Sequence, residues 1–409
     1  MRCPLLFVTT LLAVQSLSAR AAAEHPSPVR ARVAAAQKLI LANPKAVGPY
    51  DELAHAYCRW GRDANDPALY DKAAAALQQA LRLSSGDYEA QKLQVSVFLG
   101  KQQLANALAL AKELNHKVPD DIAGWGLLVD VNVALGNYAE AERDAQWILD
   151  LRPGSSLGFE KAAILRDLFG DPEGAFEFFE ESRRRTSPGD LDEVAWLLVQ
   201  DARTQLELGD LAKAEKFNNQ ALQIWPDSQL ALAFLAEIRN AQRHPEQAIA
   251  LLEQRYRAVP SAENLYDWAE AINNLGDAAR AKSLFAEFEK KALACPDPPL
   301  QLIHFYIDHT LNPPQALLLA EKRSKIRQDV ATLDAHAWAL YANSRYPEAQ
   351  KQLDRALAVG VHNPSYFCHA AQISAKNNDE ESLARMRREL QTFPSFSCAV
   401  QPAAMVSTR

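Results

Sequence analysis

Four sets of residues in this sequence have types and spacings that chemistry could use. Gly154-Ser155-Ser156-Leu157-Gly158 spells G-x-S-x-G, the pattern that holds a nucleophilic serine on a strand-to-helix turn. His304, Asp308 and His309 offer two imidazoles and a carboxylate, ligand types that suit zinc. Arg183-Arg184-Arg185, and Lys322-Arg323 with Lys325 and Arg327, are dense enough in positive charge to suggest anion recognition. Cys58, Cys295, Cys368 and Cys398 follow an apolar N-terminal stretch, a context in which disulfides form.

Each set must be positioned by the elements around it. Helical patterning ending at Pro153 precedes the serine motif, whereas the nucleophile elbow requires a strand there. The motif is therefore expected to be an inter-repeat turn, and Ser156 no nucleophile. His304 and Asp308 are four residues apart and share a helix face, but His309 is rotated away and no third ligand is evident. A polar patch is expected there, with no metal. Both basic clusters fall toward the ends of helical segments, where cations complement the negative pole of the helix dipole and stay solvated. No Gly-rich phosphate loop, H-E-x-x-H or paired-carboxylate signature occurs. The expectation is a protein with no catalytic residue, no metal and no cofactor; the rival is an enzyme whose site lies in a groove.

The elements follow from size and composition. A chain of 409 residues exceeds what one hydrophobic core organises, so several domains or an extended array are required. Hydrophobic residues make up 48%, with 15 Gly and 22 Pro, which describes helices punctuated at intervals and disfavours a sheet-rich enzyme. At the N terminus Arg2, the apolar stretch Leu5–Leu17 and Ala21-Ala22-Ala23 read as an export signal over residues 1–23; the alternative is an uncleaved anchor. Cleavage would remove Arg2 and Arg20 and take the net charge from −7 to −9. That sign disfavours nucleic acid and anionic membranes as partners. No later segment is long and apolar enough to span a bilayer.

A repeat runs through the rest. Small residues followed by helical patterning recur at Ala73, Ala107, Ala141, Ala175, Ala214, Ala248, Ala281, Ala316, Ala349 and Ser382, at intervals of 33 to 39 residues and most often 34. Twelve residues after five of them stands Pro119, Pro153, Pro226, Pro260 or Pro394, and five residues before four of them stands Gly136, Gly170, Gly209 or Gly276. A period of this length marks a solenoid whose units bury their apolar faces only against neighbours. Each unit reads as two helices joined by a tight turn, with the small residue letting the second helix approach the first.

Trp125, Leu128, Gly136, Tyr138, Ala141, Ala145 and Pro153 stand at a spacing that resembles the tetratricopeptide repeat, and the resemblance runs over residues 46–394. It implies an all-α, right-handed solenoid of about ten helical hairpins. Residues 24–45 would hold an N-terminal helix capping the open end of the stack, and 395–409 a frayed tail. Departures from the pattern fall around Arg62–Leu69, at Ser187–Leu191 and at His304.

The resemblance also implies that first helices line a concave groove. The face read from the register is Glu237 and Asn240, then Tyr266, Glu270 and Asn273, then Gln301, Phe305 and Asp308, then Asp334, Trp338 and Tyr341. Alternating acids and aromatics suit an extended or helical partner segment bearing Lys or Arg; the competing reading packs several of these aromatics between neighbouring helices. The chaperone-binding subclass clamps a terminal carboxylate with Lys, Asn and Arg, whereas the matching positions here include Asp51, His55, Gly126, Asp130, Glu160 and Ile164. Cys368 and Cys398 flank the last hairpin, whose antiparallel helices bring them together as a disulfide pair, while Cys58 and Cys295 are several units apart. The expected protein is a non-enzymatic interaction scaffold of the periplasm or cell exterior, or a periplasmic part of an envelope or polysaccharide-export assembly. The absence of any N-x-[ST] sequon favours a bacterial setting.

Overall fold

The computed structural model describes residues 27–393 and Cys398. The expected signal segment, Pro394 and the rest of the expected tail lie outside the described residues. Among those described there are 21 α-helices and no strand. The first, α1 (Pro28–Ala42), precedes ten hairpins. In order these are α2 (Gly48–Ala64) with α3 (Pro67–Leu83), α4 (Tyr88–Gly100) with α5 (Leu104–Lys117), α6 (Ile122–Leu135) with α7 (Tyr138–Leu151), α8 (Ser156–Leu168) with α9 (Pro172–Arg185) and α10 (Leu191–Glu207) with α11 (Leu211–Ile224). They continue as α12 (Gln229–Ala241) with α13 (Pro245–Ala258), α14 (Ala262–Asn274) with α15 (Ala278–Ala294), α16 (Gln301–Asp308) with α17 (Pro313–Ser324), α18 (Val330–Ala342) with α19 (Tyr346–Leu357) and α20 (Pro364–Asn377) with α21 (Glu380–Gln391).

The anchor residues explain the stacking. The nine alanines from Ala73 to Ala349 each sit on a second helix with 1% exposure or less. A larger side chain at any of them would push the hairpin open. Helix starts are set by side-chain caps: Asp66, Asp121, Ser155, Asp171, Ser228 and Asp329 each accept a hydrogen bond from an amide in the first turn. First helices also pack on the next first helix, as α2 does on α4, α6 on α8 and α16 on α18. First helices therefore form the inner wall of a superhelix, and second helices the outer.

The winding is tighter than the expectation of contacts between neighbours alone. α2 meets α10 and α12, more than 130 residues away: Arg59 reaches Asp190 and Asp192 at 2.9 Å and Glu193 at 3.1 Å, and Arg62 reaches Glu193 at 3.0 Å. Asp63 accepts from the Ser228 hydroxyl at 2.5 Å and the Gln229 amide at 2.8 Å. α1 packs on α2 and reaches beyond it. Val29 packs with Ala195 and Trp225, and Arg32 pairs with Asp190 and Asp192, so the helix fills the seam where one turn of the superhelix meets the next.

A second seam lies further along. The Gln328 amide donates to the Leu135 carbonyl and the Val330 amide to the Tyr138 hydroxyl, each at 2.9 Å, and Arg327 donates to Gln102 at 2.6 Å. Gly136 and Gly170 serve two purposes here. Both hold positive φ at the end of a first helix, and a Cβ on either would overlap backbone of the facing turn, at Gln328 and Gly360. The first seam joins hairpins four to five apart and the second joins hairpins five to six apart, so the concave groove is closed in on itself where successive turns of the superhelix touch.

Candidate functional site

The first turn surrounds a chamber of about 720 Å³ lined by α2, α4, α6 and α8 and by both ends of the gap closed by α10. Its charges are mutually compensated. Arg59 and Arg62 face Glu193, and Lys161 bridges Asp130 at 2.8 Å and Glu160 at 2.9 Å. Burial pushes the Glu193 carboxyl up, but the guanidinium groups of Arg62 and Arg59 outweigh it and hold it down at about 2. His55 accepts from Arg59 Nε at 3.0 Å, and burial followed by the Arg59 and Arg32 charges lowers it to about 4, so it is neutral. Gly61 and Gly100 are required beside it: the Tyr70 ring lies where a Cβ on either would stand.

The second turn presents a different wall. Glu237 and Asn240 on α12 and Asp308 on α16 are exposed; Asn273, Gln301 and Tyr341 are half-buried. Glu237 makes no ion pair or hydrogen bond among the described residues, and the protein crowding the groove, with Asp267 next, pushes its carboxyl up to about 7. Glu270 accepts from His309 Nε2 at 2.6 Å. Burial raises its pKa, but His309 and Tyr266 outweigh that and keep Glu270 ionised. Trp338 donates its indole N–H to Asp308 at 3.1 Å and lies between the rings of His369, 4.2 Å away, and Tyr341, 4.7 Å away. Asp334 holds His369 Nδ1 at 2.9 Å.

Three residues expected on the exposed face are not available there. Phe305 is buried against Phe285 and Phe288, because α16 is rotated so that Gln301, His304 and Asp308 face the groove. Asp334 and Trp338 do point inward but are covered by His369 and Tyr341. Tyr266 is half-buried, its ring 5.0 Å from that of Phe288. His304, expected as part of a polar patch with Asp308, stands on this wall, and His369 is a wall residue that sequence reasoning missed. His304 was visible as a departure from the repeat pattern, and His369 stands 35 residues after Asp334, close to one period.

A model of the tetratricopeptide repeat matches residues 59–122 and 335–382. The matched segments are tetratricopeptide repeats, and the helical hairpins around them share that fold. Among solved structures, the human IFIT1 dimer with m7Gppp-AAAA is 16% identical over 88% of this chain and 84% of that one, with a TM-score of 0.50. PilW, described as a widely conserved type IV pilus biogenesis factor, is 15% identical over 51% of this chain and 95% of its own, with a TM-score of 0.43. The pilF protein of Pseudomonas aeruginosa is 17% identical over 54% and 97%, at 0.35. No curated protein matches the sequence. At these identities the likeness is one of fold.

Within the repeat framework the remaining motifs take structural places. Ser155 caps α8 by accepting from the Gly158 amide at 3.0 Å, and Ser156 bonds the Ser182 carbonyl and the Thr186 hydroxyl. The residues before them are the end of α7 and a turn, so no elbow exists. Arg183 is not merely a solvated dipole partner: it holds buried Asp201 at 2.8 Å, while Arg184 and Arg185 pair with Glu181 along α9. Arg327 belongs to the second seam. Cys368 and Cys398 are joined by a disulfide with Cα atoms 5.7 Å apart, and Cys58 and Cys295 are free. His304, Asp308 and His309 form no group with metal-site geometry among the described residues. Nor is any described helix long and apolar enough to cross a membrane.

Proposed function

We propose that this protein is a non-enzymatic scaffold, working in the periplasm or outside the cell, whose second-turn wall holds an extended basic segment of a partner protein. The observation that carries this reading is the set of carboxylates at Glu237, Asp267, Glu270 and Asp308 along successive first helices, none of them buried, with Asp267 beside Arg255 and Glu270 beside His309, interleaved with Tyr266 and Tyr341. Such a row attracts Lys and Arg side chains and repels acidic ones. The export reading of residues 1–23 supports the location. The ligand in the IFIT1 structure does not transfer, because a phosphate chain would meet carboxylates on this wall.

The test is fluorescence anisotropy with a labelled peptide of about ten lysines and a matched glutamate peptide at low salt. The lysine peptide is expected to bind and the glutamate peptide to fail. Glu237→Lys, an exposed change with no hydrogen bond to lose, is expected to weaken lysine-peptide binding about fivefold to tenfold. Equal binding of both peptides, or no effect of Glu237→Lys, would reject the reading.

A further inference from the structure

The same wall that carries the carboxylates also carries three imidazoles, His304, His309 and His369, each within reach of them. His309, which caps the end of α16, touches Glu270 of α14 at 2.6 Å, lies 4.1 Å from the Phe285 ring of α15, is edge-on to Tyr266 and neighbours Asp308, the last residue of that helix. His369 on α20 is held by Asp334 of α18, stacks on Trp338 and faces His304 of α16 at 6.2 Å, with Asp308 beyond. His304 in turn faces Asp334, His369, Asp308 and Glu270. At the other end Glu237 faces Asp267 of α14, Arg255 of α13, and Arg203 and Glu207 of α10. An imidazole beside each of two carboxylates means that a proton taken up on this wall cancels charge where a basic segment would lie.

We propose that the second-turn wall is a pH-gated site, retaining its basic segment at neutral and alkaline pH and releasing it on mild acidification. The proposal rests on the basic-segment reading given above and adds its regulation. The titrations run in the required direction. The bond to Glu270 raises His309; burial lowers His369 but the Asp334 charge outweighs it, so His369 is raised as well. Burial lowers His304, which stays neutral longest. Glu237, pushed up to about 7, loses its charge over the same interval, while Glu270 stays ionised and is claimed by protonated His309. Acidification therefore adds positive charge at His309 and His369 and removes negative charge at Glu237, while lysine remains fully charged throughout.

The experiment uses the whole chain and the labelled lysine peptide at constant ionic strength. The affinity is expected to fall about tenfold or more between about pH 8 and about pH 5.5. In a His309→Gln, His369→Gln chain the ratio between the two pH values is expected to shrink to about threefold, the share left to Glu237. Calorimetry of the unaltered chain near pH 6.5, in buffers of different ionisation enthalpy, gives a readout independent of the variants: the segment favours the deprotonated wall, so binding is expected to release protons. Binding with the same affinity at both pH values, or without proton release, overturns the gating alone. No peptide binding at either pH overturns the basic-segment reading and the gating with it.

Discussion

Arg59→Ala tests whether the turns of the superhelix hold one another. The Arg59 side chain is 17% exposed and spreads its guanidinium over Asp190, Asp192 and Glu193, of which Asp192 is 1% and Glu193 11% exposed. Removing a partner from a buried ion cluster leaves carboxylates uncompensated, which costs about 3–5 kcal/mol. Arg32 still reaches Asp192 and Arg62 still reaches Glu193, so the lower end, about 3 kcal/mol, is expected. The control is Arg257→Ala, whose pair with Glu253 is 76% exposed on the arginine side and within one helix; it should cost about 0.5 kcal/mol or less. Urea unfolding measures both. Arg59→Met keeps the aliphatic stem and should cost nearly as much as alanine if charge, rather than packing, is what is lost. Amide exchange then decides how the loss spreads. In a solenoid of neighbours alone, the damage stays in the first hairpins; closure requires the first turns of α10 to lose protection as well. A cost below about 1 kcal/mol, or unchanged exchange at Leu191–Val199, would refute closure by this cluster.

Other outcomes follow from single sites. Reduction of the Cys368–Cys398 bond, which closes a separation of 30 residues, should cost about 3–4 kcal/mol and unprotect α21 in amide exchange, with Cys368→Ser reproducing the effect. Burial raises the Asp201 carboxyl to about 7 despite Arg183. The unfolded chain releases that proton near pH 4, so stability is lost as pH rises from about 4 to about 7; the melting temperature of Asp201→Asn relative to the unaltered chain should climb across that window and then level off. Ala141→Leu, at a fully buried anchor between α6 and α7, should cost about 1–3 kcal/mol in urea unfolding. Gly100→Ala should destabilise the chain unless Tyr70 moves, so pairing it with Tyr70→Ala should recover part of the loss.

The hairpins were legible because their determinants are local. A buried alanine, a left-handed glycine and a capping aspartate act within one unit, and repetition in register made each visible. The inner face was legible only in part. Its residues were read from the repeat spacing, and at α16 that spacing fails: the helix has only eight residues, Gln301–Asp308, between a proline-rich approach and Asn312-Pro313-Pro314. A one-residue rotation there exchanged Phe305 for His304. The chamber was illegible for another reason. His55, Arg59 and Arg62 make an obvious polar face on α2, but that their partners stand at Asp190, Asp192 and Glu193 depends on how many hairpins complete a turn. Small rotations added over five units set that number, and no single repeat encodes it.

Closure also explains why the two turns differ in chemistry. In the first turn the facing walls are close enough for Arg59 and Arg62 to reach across to Glu193, Lys161 finds Glu160 and Asp130 beside it, all within 3.1 Å, and the charges cancel in place. In the second turn Glu237 lies in the field of Arg203 and Arg255 but pairs with neither, and Asp308 meets an indole N–H. A carboxylate with no ion-pair partner and a second carboxylate, Asp267, beside it is poised to bind either a proton or a cationic side chain. The competition between those two ligands for the same oxygen atoms is what ties the partner to pH. It also assigns the turns different work: the first holds the superhelix shut, and the second is left with charge to offer.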